Sequence, residues 1–119
     1  MGFPVEIWLR SDNHASTTEI APVATDASAW SDGEVAQVLA AMLRELERAQ
    51  NPSIDPDRPI ALRGFSWIVS PFESGGVVIA LELTLGAVVA GPFQASEREL
   101  SAKIERVVSA QRAATTTVH

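Results

Sequence analysis

Between Gly75 and Phe93 the chain reads GGVVIALELTLGAVVAGPF, with Glu82 as its only charge. A stretch this apolar has to leave water, either in a bilayer or in a protein core. A membrane helix needs about 20 apolar residues, and a carboxylate at its centre costs about 2.5–3.5 kcal/mol on insertion scales. The stretch is rich in Val, Ile, Thr and Gly and is bounded by Gly-Gly and Gly-Pro, which favours strands. It therefore predicts a buried strand over Val77–Leu85, a bulge or tight turn at Gly86 and a short strand over Ala87–Ala90. Membrane insertion is disfavoured.

The rest of the chain supplies partners for those strands. Phe3, Val5, Ile7 and Leu9 alternate with Glu6, Trp8 and Arg10, the period-two signature of a strand with one face in the core. Ser11–His14 carries turn chemistry. Thr17–Val23 suggests a weak second strand, confined to an edge by Pro22. Ser31-Asp32-Gly33-Glu34 is a capping box, flanked by Trp30 and Val35 in the two positions of a hydrophobic staple. The helix it opens repeats Val35, Val38, Leu39, Met42, Leu46 and Ala49 at helical spacing and ends at Asn51-Pro52. Pro52, Pro56 and Pro59 exclude regular structure before a strand over Ile60–Ser70, and Pro71–Gly76 reads as the loop of a hairpin. Ser96–Glu99 is a second capping box, opening a helix with Leu100, Ile104, Val107 and Val108 on one side and Glu99 and Lys103 four apart.

Together these elements predict one α+β domain over residues 1–119. Its architecture is a two-layer sandwich, a mainly antiparallel sheet of three to five strands with two amphipathic helices on one face. Residues 11–30 form a flexible loop or weak edge strand, and 114–119 a frayed tail. A chain of 119 residues is long enough for its own core.

Composition removes several functions. The chain has no cysteine, which excludes disulfides, thiolate metal sites and a thiol nucleophile and fits a reducing compartment. A net charge of −6, with nine scattered Lys and Arg, argues against a nucleic-acid partner and suits solubility or a basic partner protein. The first ten residues lack a basic n-region and are interrupted by Glu6 and Arg10, so a cytoplasmic location is expected. Position 6 is Glu, which breaks the myristoylation pattern begun by Gly2.

Catalytic motifs fail in turn. Gly64-Phe65-Ser66-Trp67-Ile68 resembles a nucleophile elbow, but Ile68 replaces its last glycine and Ser66 falls inside a strand. The only histidines are His14 and His119. Asp12, His14 and Asp26, or Asp55 and Asp57, have neither the spacing of a metal site nor the glycine and glutamate of a calcium loop. Gly75-Gly76 precedes a strand, so no helix terminus stands ready for phosphate. No metal, cofactor or catalytic residue is expected, and the chain reads as non-enzymatic.

What remains is a surface. If Pro71–Gly76 closes a hairpin, one strand register puts Ile60, Leu62 and Ile68 on a face with Ile79, Leu81, Leu83 and Leu85. Arg63, Phe65, Trp67, Val78, Glu82 and Thr84 then share the opposite face. Hydrophobic segregation selects that register, with Arg63 and Glu82 in reach of a diagonal ion pair. Trp8, Arg63, Phe65, Trp67 and Glu82 thereby become the candidate partner-binding residues, in the aromatic and Arg chemistry of interface centres. The expected function is a protein–protein interaction module (accessory subunit, adaptor or inhibitor) docking through the outer sheet face to another protein or to itself. The alternative is a small-molecule-binding module or small enzyme with its pocket between the sheet and the 11–29 loop, Arg63 holding an anion and Trp67 stacking on a ring.

Overall fold

The computed structural model describes residues 3–10, 16–20, 26–55, 60–73, 75–84 and 86–117. Two strands, β1 (Phe3–Leu9) and β2 (Ser16–Ile20), are followed by a short 3-10 turn at Ala27–Ala29 and by helix α1 (Asp32–Gln50). Then come β3 (Ser66–Pro71), β4 (Val77–Leu83), β5 (Gly86–Phe93) and α2 (Glu97–Thr117). All strand pairs are antiparallel in a single five-stranded sheet ordered β2-β1-β5-β4-β3. The α+β two-layer architecture is as the sequence predicts.

Helix α1 lies over β1, β5 and β2, and α2 packs beside it over β3. Between helices and sheet sits one core. The sheet contributes Val5, Ile7, Ile79, Leu81, Val88 and Phe93, and the helices contribute Leu39, Met42, Leu46, Leu100 and Ile104. Phe93 anchors its lower end, with the Phe3 ring centroid at 4.7 Å and the Trp30 ring edge-on at 5.0 Å. Burial of Trp30 and Val35 satisfies the staple pattern, and the capping box closes as expected: Ser31 Oγ accepts from the Glu34 N–H, and Glu34 Oε1 from the Ser31 N–H. At the second box, Ser96 Oγ accepts from the Glu99 N–H at 3.0 Å.

The start of α1 and the turn before it are tied to the middle of α2. Arg106 donates two hydrogen bonds, of 2.9 and 2.8 Å, to the Asp32 carboxylate. Lys103, expected opposite Glu99, instead reaches the Ala27 and Ser28 carbonyls at 3.3 and 2.8 Å. Asp26 caps the same turn by accepting from the N–H and the hydroxyl of Ser28, which holds its carboxyl below the usual range.

Several expected boundaries move. The second strand does lie at a sheet edge, over Ser16–Ile20. α2 runs to Thr117, well into the stretch expected as a tail, and only 118 and 119 lie outside the described residues. The last strand is longer than Ala87–Ala90 because a bulge lets it continue. Val77 pairs with Phe93 but Ile79 with Ala90, so β5 has one residue more than β4 between those rungs. Gly91 makes this possible: its φ is +131°, and a Cβ there would stand 2.9 Å from the Val77 carbonyl oxygen. The bulge explains why Ala90 and Phe93, three apart, are both buried.

Candidate functional site

The decisive correction concerns register. The strand expected from Ile60 begins only at Ser66, because Gly64, at φ +77°, turns the chain before it. Leu62 is buried, but from an irregular segment, so its odd-even phase says nothing about β3. Within β3 the pairs are Ser66 with Glu82, Trp67 with Leu81, Ile68 with Ala80 and Val69 with Ile79. Trp67 and Val69 therefore face the helices, and Ile68 faces out, the reverse of the expected arrangement. The residues of β3 taken alone give the right phase: the odd set Trp67 and Val69, prolonged by Phe65, is more apolar than the even set Ser66, Ile68 and Ser70. Ile60 and Leu62, on the far side of Gly64, belong to neither set.

The five candidate residues do not share one face. Trp8 and Glu82 stand on the outer, helix-free face, Trp8 with 41% of its surface exposed. Phe65 and Trp67 are half-buried and pack against the core. Arg63 is exposed in the segment before β3 and forms no ion pair with Glu82. It lines a cavity of about 210 Å³ with Leu43, Leu46, Glu47, Ile60 and Leu83, whereas Trp67 borders a different depression of about 220 Å³ with Ile68, Ala80 and Ala87. The two groups of the alternative ligand site are thus apart, and 11–15 and 21–25 of its loop lie outside the described residues.

The outer face is nonetheless the most distinctive surface. Its middle rung runs Glu6, Val89, Ala80, Ile68 across β1, β5, β4 and β3, and the next rung runs Trp8, Ala87, Glu82, Ser66. Val78 and Ser70 follow beyond the middle rung. Small residues at the centre leave the face flat, between the raised side chains of Trp8 and Ile68. No family model, curated protein or solved structure matches the chain. Its surface chemistry is therefore read from the residues themselves.

The ionisable side chains that the described strands direct outward are Glu6, Glu19 and Glu82, all carboxylates. Arg10 stands at the end of β1, across a shallow depression of about 350 Å³ from Glu82. Ile68, which sequence reasoning assigned to the core, is the most exposed large apolar residue described, at 58%. Among the described residues no three of His, Asp and Glu gather as metal ligands, and no helix is long and apolar enough to cross a membrane. His14, Asp12, Asp57 and His119 lie outside the described residues.

Proposed function

We propose that the protein is a non-enzymatic interaction module that docks another protein on the uncovered face of its sheet. One observation carries the reading: both helices cover one side, while the other presents Trp8, Val78, Ala80, Ala87, Val89 and Ile68. Contiguous apolar surface of this kind on a small domain marks contact sites. Trp8, rigid and half-exposed, is the anchor.

The partner's chemistry follows from the rim. Glu6, Glu19 and Glu82 border the apolar centre, with Arg10 near Glu82, on a chain of net charge −6, so the fitting surface is apolar in the middle and mainly basic around it. Face-to-face pairing of two copies would set carboxylates against carboxylates. A cysteine-free chain suits such a role in a reducing, cytoplasmic setting.

The test is site-specific photo-crosslinking in the native cell, with the reactive side chain at Ala80, centred on the face, or at Gln37, exposed on α1. A discrete heterologous adduct is expected from position 80 only, abolished by Trp8→Ser and weakened by Glu6→Lys with Glu82→Lys. Equal adducts from both positions, or an adduct indifferent to Trp8→Ser, would refute the docking face.

A further inference from the structure

We propose that the protein is also a homodimer, in which β3 pairs antiparallel with β3 of a second copy about a two-fold axis through Ile68. This contact uses the sheet's edge and shares only Ile68 with the docking face, whose anchor Trp8 lies on β1, far across the sheet.

β3 is an outermost strand, and of the usual defences of an edge it carries only Pro71, at its last position. Ser66-Trp67-Ile68-Val69-Ser70-Pro71 contains no ionisable side chain, whereas β2 at the other edge carries Glu19. Two copies of a chain with net charge −6 can therefore approach here without bringing carboxylates together in the strand.

Backbone phase limits how they can pair. The Phe72 N–H donates to the Gly76 carbonyl at 3.0 Å, continuing the β3–β4 register into the turn. Hydrogen-bonded pairs in an antiparallel ladder alternate, so even-numbered residues of β3 direct their N–H and C=O toward β4. Trp67 and Val69 direct theirs away from it, to the open edge. With the axis at Ile68, Trp67 of each copy meets Val69 of the other, and each such pair exchanges two N–H···O bonds.

Side chains select this register over its neighbours, because the strand reads nearly the same in both directions. Ser66 meets Ser70, Trp67 meets Val69 on the helix side, and Ile68 meets Ile68 on the outer side, at a closely spaced non-hydrogen-bonded rung. Just past Ser66 the same axis carries Phe65 toward Pro71 of the second copy, a contact made twice. Moving the axis to Val69 would instead set Phe65 against Glu73. The exposed large apolar residues described are Trp8, Ile68 and Phe72, and this contact covers Ile68 and Phe72. It also joins two outer faces into one continuous sheet surface.

Sedimentation equilibrium of the purified full chain tests the proposal. The wild type should sediment with about twice the 12.7 kDa chain mass at tens of micromolar. Ile68→Lys, at an exposed position where the fold tolerates it, sets two ammonium groups on the axis and should raise the dimer Kd at least about ten-fold. The circular dichroism of Ile68→Lys should match that of the wild type. The Trp67 and Val69 amides should gain exchange protection with concentration. A wild type that stays monomeric at about 1 mM, a dimer indifferent to Ile68→Lys, or Trp67 and Val69 amides whose protection does not rise with concentration would each overturn it. Trp8→Ser leaves this dimer intact, so its failure and that of the face are separable.

Discussion

Adjacent residues of β3 offer a direct test of the register on which both surfaces rest. Val69 is 5% exposed against the helices and Ile68 58% exposed on the opposite side. Val69→Ala removes two buried methyl groups, worth about 1.6 kcal/mol at about 0.8 kcal/mol each. The space left behind raises the cost to about 2–2.5 kcal/mol. Ile68→Ala removes more carbon, but mostly carbon that water already reaches, so only lost strand preference and partial burial remain, about 0.5–1 kcal/mol. At this chain length about 4 °C per kcal/mol applies, giving a fall in Tm of about 8–10 °C for Val69→Ala and about 2–4 °C for Ile68→Ala. Thermal and urea unfolding, followed by tryptophan fluorescence at about 1 µM to keep the dimer dissociated, would measure both. Equal losses, or a larger loss at Ile68, would mean that β3 is turned the other way.

Three further outcomes are expected. Gly91→Ala should destabilise by about 1–3 kcal/mol in urea unfolding, since the bulge needs φ +131° and leaves no room for a Cβ beside the Val77 carbonyl. Ser31→Ala should cost about 1 kcal/mol by removing the acceptor for the Glu34 N–H, with Ser31→Gly costing less. Hydrogen bonds from Arg106 hold the Asp32 carboxyl below its ordinary range, so its folded pKa lies under its unfolded one. That link stabilises the fold above about pH 4 and is lost as pH falls through the depressed value. The urea midpoint should therefore drop less between pH 6 and 2 in Asp32→Asn than in wild type, and identical profiles would exclude the link.

Elements governed by local chemistry were legible in the residues. Both helices begin where Ser31 and Ser96 supply a hydroxyl for an orphan N–H, and α1 ends at Asn51. The alternation in Phe3–Leu9 gave β1 its correct inner face, and with it the outward Trp8. What escaped was phase, which depends on where a strand starts and whether a residue is inserted. A positive-φ glycine cut β3 shorter than its apolar run, while another extended β5 past the point where alternation stops. Trp67 and Phe65 were misplaced for that reason, and Ile68 was overlooked as a surface residue. Arg63 and Glu82 fell apart with them, because a diagonal pair requires both residues in paired strands.

The extra residue in β5 has a practical consequence for anyone labelling this protein. Before Gly91 the helix side of the strand carries even numbers, Val88 and Ala90, and after it an odd one, Phe93. Counting by twos from Gly86 therefore leads a probe or crosslinker to the intended side only as far as the glycine. Deleting one residue there would restore simple counting and keep the Phe93 ring opposite Val77, on the helix side with Phe3 and Trp30.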